Sequence, residues 1–423
     1  DDQGNMYPWL AESWKYVEPN ALQWNLRKGI KWHDGQEFTA EDVAASIEYL
    51  TRDGALSQGF YPEKQIKGKV IDKYVAQFAT ENPQASLPGI VAMNPIMCKD
   101  DIAHPKNFEL KMNGTGPFRY VSRKEDVAYL EANEEYWAGP PKVKEVEAWY
   151  IPDTQARVNA LVAGDADVAD TLEVQHWDQV KAAGAYVVSV LIIENMWIAF
   201  RDKYPPFKDN VKLRQAVAYC INYDGIVQGI MKGHAGKLDS WFPKGEFGYA
   251  PAPSVYAYDV QKAKQLLAEA GYPNGEGLPK LDLYACTGFY PNNKEYAEAI
   301  TANMEAIGLR IALDVTDLVT WGARLYTEDA GHMIIHGWRL PCAEPDALHR
   351  SLYYCEGRVT HFCDSQVDAV FDKQSRTLDA EERKRVIRDE LIPLLIERLP
   401  AVPLFQQEMA QGVAARVQDW NLH

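Results

Sequence analysis

NKEYAEAITANMEAIGLRIALDV, residues 293–315, is the stretch that decides the fold. Tyr296, Ile300, Met304 and Ile307 recur at helical spacing and make one apolar stripe. Gly308 then stops the helix, and the chain passes at once into a segment where Ile311, Leu313 and Val315 alternate as in a half-buried strand. A helix that hands over to a strand through one glycine is the repeating unit of an α/β layer.

The same punctuation recurs along the chain. Thr39 is expected to cap AEDVAASIEYLTR, with Glu41 and Asp42 placed where the helix dipole favours acids. Asp153 or Thr154 caps QARVNALVAG, which Gly164 ends. Asp209 is expected to open NVKLRQAVAYCI, and Asp259 opens VQKAKQLLAEAG, ended by Gly271. Asp379 starts AEERKRVIRDELIPLLIERLP, which Pro393 should kink or break. KLDLYAC, YVVSVLII, MWIAF and MIIHGW read as separate short strands. GYPNGEGLP (271–279) reads as a helix stop followed by a turn, and the aromatic connection 242–259 as packed surface.

At 423 residues the chain exceeds one hydrophobic core and suits two large lobes or three small domains. It has no apolar run of the roughly 18 residues a membrane span needs. A net charge of −16 repels phosphate backbones, and Lys64, Lys67, Lys69 and Lys73 have acids close by, so nucleic acid is excluded as a partner. Cys220 and Cys286 sit in apolar patterns and read as small buried hydrophobes. Cys342, Cys355 and Cys363 flank an irregular segment, IIHGWRLPCAEPDALHRSLYYC (334–355), and one disulfide among them is expected in an oxidising compartment.

Catalytic constellations fail on spacing. His332 and His336 are four apart, but in a strand that separates them by roughly 13 Å, and the acid of a metalloprotease motif is missing. No nucleophile elbow, phosphate loop or dinucleotide fingerprint is present. Glu344 and Asp346 share a loop, which is a poor basis for a glycosidase pair. No catalytic residue, resident metal or cofactor is assigned.

Four stretches, in order, resemble the extracytoplasmic solute-binding proteins of ABC importers in the peptide/nickel family. They are LAESWKYVEPNALQWNLRKGIKWHDGQEFTAEDVAASIEYL (10–50), residues 114–168 opening GTGPFRYV, FKDNVKLRQAVAYCINYDGIV (207–227) continued by 258–275, and residues 364–406. The resemblance implies a two-lobed periplasmic-binding-protein fold with mixed sheets. Lobe I is expected to comprise 1–198 completed by 405–423, and lobe II 199–404, with crossings near NMWIAF (195–200) and AVPLFQ (401–406). Lobe I is expected to be incomplete at its N-terminus, since relatives carry several strands before the position of Leu10. The implied partners are a small-molecule ligand and the transmembrane subunits of an ABC permease. A monomer outside the cytoplasm is expected, lipid-anchored in a Gram-positive source.

In peptide-binding members a Gly-Trp pair is followed, three residues after the Trp, by an aspartate that holds the peptide's ammonium. Here Gly337 and Trp338 are followed by Pro341 at that place, and Ile335 stands where some relatives carry a basic residue. A desolvated ammonium without its counter-charge costs on the order of 3–5 kcal/mol. The expectation is therefore a neutral polar ligand, an oligosaccharide or other non-peptide metabolite, with a di- or oligopeptide as the alternative. Trp338, Trp197 and Tyr353 are the candidate aromatic platforms. Asn195, Arg339 and Glu344 are the candidate hydrogen-bonding groups, and His336 stands beside the pocket tryptophan. An enzyme or sensor on the same scaffold is the reading from another class.

Overall fold

The computed structural model describes residues 6–52, 66–106, 108, 112–236, 240–251, 256–325, 331–338, 343–357 and 362–422. The chain forms two compact units, Met6–Ile151 with Gln374–Ala380, and Pro152–Lys373 with Glu381–His423.

In the smaller unit, β1 (Ala11–Glu18), β2 (Ala21–Leu26), β3 (Lys67–Asp72) and β4 (Val75–Ala79) form an antiparallel sheet in the order β1-β2-β4-β3. Helix α1 (Ala40–Thr51) begins with a capping box, in which the Thr39 amide donates to the Asp42 carboxylate at 2.8 Å. Strands β5 (Phe118–Lys124), β6 (Val127–Ala132) and β7 (Glu145–Trp149) make a second antiparallel sheet.

The larger unit is built on a seven-stranded mixed sheet. Its elements in chain order are α2 (Thr154–Ala163), β8 (Val168–Ala169), β9 (Tyr186–Phe200), α3 (Val211–Cys220), β10 (Ala235–Gly236) and α4 (Val260–Glu269). They continue with β11 (Leu281–Cys286), α5 (Asn293–Ala306), β12 (Ile311–Thr316), α6 (Leu318–Leu325), β13 (Met333–Gly337), α7 (Pro345–Tyr353) and β14 (Ala401–Val413). The strand order is β10-β14-β9-β13-β11-β12, with β8 also paired to β14. β11, β12 and β13 run parallel, whereas β9 is antiparallel to both β13 and β14.

The stretch that opened the sequence reading forms α5, the Gly308 stop and β12. Tyr296, Ile300 and Met304 are buried as the stripe requires, and Asn293 and Ala297 join them. Gly308 does more than end a helix. Its φ is 102°, and a Cβ there would lie 2.3 Å from the Asn274 carbonyl oxygen, so only glycine allows the turn at 273–275 to close against it.

Two local expectations need correction. YVVSVLII and MWIAF are one 15-residue strand, β9, because Glu194 falls in a bulge and Asn195 is back in register opposite Gln406. Asn210, not Asp209, caps α3: its side chain accepts from the Leu213 amide at 3.1 Å, while Asp209 turns the chain with a φ of 54°. Near Pro393, expected to kink or break its helix, the regular α-helix is interrupted. The π-helical turn Ile387–Leu391 precedes it, widening the spiral just where proline removes a donor and crowds the preceding turn. Of the two proposed caps of α2, Asp153 is the one used, accepting from the Ala156 amide at 2.7 Å.

Among the described residues of the larger unit, two apolar cores stand out. One, around Val158, Leu161, Trp177 and Val180, lies at the β8 end of the sheet. The other spans α3, α4, α5 and the remaining strands. The β9–β14 ladder joins them and is interrupted between the pairs Leu191–Glu408 and Asn195–Gln406, where three residues of β9 face one of β14. Residues 152–198, assigned together with 1–151 from the sequence, belong to the same compact unit as 199–373.

Candidate functional site

The parallel strands β13, β11 and β12 end at Gly337, Cys286 and Thr316, and β9 passes this edge in the opposite sense at Glu194–Met196. The carboxyl edge of an open α/β sheet is where such folds place ligands. Here β13 meets the edge as MIIHG, fully buried, and delivers Trp338 just beyond it, half-buried against the core.

Gly337 is there for space. A Cβ on it would come within 2.5 Å of Glu194 Oε1 and 2.6 Å of Met196 Sδ, so the absence of a side chain lets the Glu194 carboxylate lie against the end of β13. Glu194 is only 4% exposed. The Tyr290 hydroxyl donates to the Gly337 carbonyl at 2.7 Å and fixes the loop that enters α5. Asn292 is left-handed and donates from Nδ2 to Gln175 Oε1 at 2.6 Å. Asn293, first in the helix, is 2% exposed, and neither its Oδ1 nor its Nδ2 has a hydrogen-bond partner among the described residues. One turn on, Tyr296 is fully buried with its ring edge-on to Phe405 at 5.3 Å, and its hydroxyl has no partner either. Burial above all, with the negative groups around it, Glu194 included, holds that phenol in its protonated form. Buried polar atoms are rarely left unpaired without a reason.

On the other face of the sheet lies an aromatic cluster. Trp197 meets Trp241 at 5.3 Å, His349 at 5.9 Å and Tyr353 at 6.3 Å between ring centroids. His349 stacks on Phe242 at 4.3 Å and places Nε2 3.0 Å from the buried Glu246 carboxylate. Asn195 donates from Nδ2 to the Trp241 carbonyl at 3.2 Å. A cavity of about 10 Å³ opens beside this cluster, lined by Ala199, Phe200, Ile334, His336, Tyr353 and Phe362 among others. That is room for one water.

A third group is electrostatic. Glu344 stands at the N-cap position of α7, its carboxylate 2.8 Å from Arg383 Nη2, which also lies 3.6 Å from Asp346. The Arg383 guanidinium covers the Phe247 ring at 4.5 Å. Burial pushes the Glu344 carboxyl above its ordinary range, and the Arg383 charge works against that shift.

The residues singled out from sequence thus fall into three places. Trp197, Tyr353, Asn195 and His336 come together in and beside the aromatic cluster, all buried. Trp338 stands at the carboxyl edge, and Glu344 belongs to the Arg383 ion pair. Arg339, Pro341 and Cys342 lie outside the described residues. Cys355 and Cys363 form a disulfide, and Cys98, Cys220 and Cys286 are buried free thiols. His332 pairs with Asp282 at 2.9 Å, away from His336. Among the described residues no group of three or more His, Cys, Asp or Glu side chains is arranged to hold a metal ion, and no helix is long and apolar enough to cross a membrane. Glu194, Asn293 and Tyr296 were not singled out. The one available signal was a charged residue inside the apolar run LIIENMWIAF.

The α/β chain thus gathers buried polar groups at the carboxyl edge of its parallel strands, the place where such folds bind ligands. The chain belongs to the bacterial extracellular solute-binding proteins, family 5, whose model matches residues 5–359, and it is accordingly a solute-binding protein of the kind that serves ABC importers. It is 27% identical to heme-binding protein A of Haemophilus influenzae over 94% of this chain and 78% of that protein. It is 26% identical to the dipeptide-binding protein of Escherichia coli over 82% of this chain and 70% of that one. Among solved structures, the periplasmic binding protein DppA of Helicobacter pylori, in complex with the peptide STSA, superposes with a TM-score of 0.84 at 24% identity, covering 99% of this chain and 87% of that one. The periplasmic-binding-protein fold with mixed sheets expected from the sequence is the fold observed. The relatives are binding proteins, not enzymes.

Proposed function

We propose that this chain is the extracytoplasmic capture component of an ABC importer and that its ligand is a short peptide. The observation that carries the ligand class is the similarity to dipeptide-binding proteins from several bacteria over 82–98% of the chain. Of the two ligand classes weighed from the sequence, this favours the peptide over the oligosaccharide. Trp338 then serves as an apolar wall for a side chain.

The ligand is captured between lobes 1–198 with 405–423 and 199–404, which turn about β9 and β14. The interruption of the ladder at residues 191–195 and 406–408, with an apolar core on either side, supports that placement of the hinge. Closure needs ligand contacts that exceed the preference of the empty protein for the open state. The closed monomer delivers its ligand to the permease.

A thermal-shift screen tests the ligand class, with free dipeptides, di- to pentasaccharides and haemin as its arms, haemin because of the Haemophilus relative. A ligand at a hundred times its Kd adds about 2.7 kcal/mol. Stabilisation by free dipeptides is expected. Stabilisation by saccharides alone would restore the first reading.

A further inference from the structure

In the proposed division into lobes 1–198 with 405–423 and 199–404, residues 173–176 and the start of α5 fall on opposite sides. We propose that the contact between them, Asn292 with Gln175 and Glu173, is a closure latch: it forms when the lobes close and sets how long the ligand is held. The inference rests on capture between these lobes and not on the class of the ligand.

The helix itself points to the latch. α5 is 14 residues long, and its first N–H groups need acceptors. Asn292 stands at the N-cap position and is of a type that caps, yet its side chain makes no cap. With a φ of 56° it donates instead from Nδ2 to Gln175 Oε1 at 2.6 Å. Its backbone amide donates to the Glu173 carboxylate. The start of α5 is thus met by an acid from the other lobe, placed where the helix dipole favours one. Gln175 donates from Nε2 to Glu173 Oε2 at 2.8 Å, so its amide joins both partners. The loop before the helix lies against the same lobe, since a Cβ on Gly288 would fall 3.4 Å from the Pro152 carbonyl oxygen.

The group is suited to making and breaking. Its partners are polar and Gln175 is exposed, so on separation they exchange these hydrogen bonds for water. Burial and Glu295, in the first turn of α5, push the Glu173 carboxyl up, while His176 at 3.6 Å and Arg157 act against them. A second contact across the boundary is of another kind. The His234 ring lies 3.9 Å from the Trp177 ring, and its Nδ1 is 3.3 Å from Glu408 Oε1. Glu408 borders the interruption of the β9–β14 ladder, so that stacked pair belongs to the pivot.

The test is calorimetric and stopped-flow titration of the full chain as wild type, Q175A, N292G and the double variant. The titrant is the free dipeptide, or the pentasaccharide or haemin where that one alone stabilises the wild type. Glycine at 292 keeps the left-handed backbone, and Gln175 is exposed, so each variant retains the fold. Each single variant is expected to weaken binding roughly fivefold, the scale of one lost hydrogen bond, by faster dissociation at an unchanged association rate. The double variant is expected to bind no more weakly than the weaker single one. Denaturation midpoints without ligand are expected to stay at the wild-type value, which a permanent structural contact would not allow. Unchanged affinity in both single variants, losses that multiply in the double variant, or lowered midpoints at unchanged affinity would overturn the latch and leave the capture reading intact. Wild type that binds none of the three probes would overturn both.

Discussion

Glu344, its side chain 15% exposed, and Glu194, 4% exposed, are two acids of the same compact unit in different surroundings. Glu344 stands at the start of α7 with Arg383 at 2.8 Å, and the same arginine lies near Asp346 and over Phe247. That charge is compensated inside the protein and holds α7 to the 380s helix. Glu194 lies in a strand bulge against a glycine, next to an amide and a phenol whose polar atoms have no partner among the described residues. The first acid sits in a closed ion-pair group; the second borders buried polar atoms that have no partner among the described residues. Burial alone does not separate the two, whereas the state of their neighbours does.

The largest effect that sharpens this contrast is expected from R383A. Removing the arginine leaves Glu344 and Asp346 buried without it, at a cost of about 3–5 kcal/mol. Chemical denaturation should show the loss, while the dipeptide affinity of the remaining folded protein stays near wild type. A matching loss of affinity would place Glu344 in the ligand site after all, as the sequence suggested.

A middle-sized effect concerns a third buried acid, Asp202. It lies 3.7 Å from Arg214, yet burial outweighs that charge and raises its carboxyl to about 7. The folded state therefore holds the proton more tightly than the unfolded chain. Its contribution to stability is present at acid pH and is lost as pH rises from about 4 towards 7. The difference in stability between wild type and D202N, followed from pH 5 to pH 8, should change by about 1 kcal/mol per pH unit below 7 and level off above it. A flat difference would mean that Arg214 keeps Asp202 ionised throughout.

The smallest stability effect is expected at Tyr296. Y296F deletes a buried hydroxyl with no partner among the described residues, and such a change is neutral or slightly stabilising, within about 1 kcal/mol. A large destabilisation would show that the hydroxyl is engaged by the fold, and would erase the distinction between the two acids.

Much of the fold was legible because it is local. The stripe of α5, the Gly308 stop and the alternation of β12 are consecutive in sequence, and each has a mechanism that acts within a few residues. The joining of two runs into β9 was not legible, since Glu194 and Asn195 interrupt an apolar pattern and only the partner strand shows that Glu194 falls in a bulge. The Asn210 cap was misplaced by one position because Asp209 has the same chemistry one residue earlier. The loop 334–355 attracted attention for its Trp, Pro and Cys content. Its Glu344 is tied to an arginine 39 residues further on, a pairing no spacing rule contains. The Glu194–Asn293–Tyr296 set draws on two elements about a hundred residues apart, and Asn293 and Tyr296 read from sequence as an ordinary helix start.

The central claim is that this chain captures a short peptide. Calorimetric titration of the wild-type protein with a free dipeptide and, separately, with a pentasaccharide tests it most directly. The account predicts saturable one-to-one binding of the dipeptide and no heat of binding from the saccharide. Saturable binding of the saccharide, with the dipeptide inert, would contradict it.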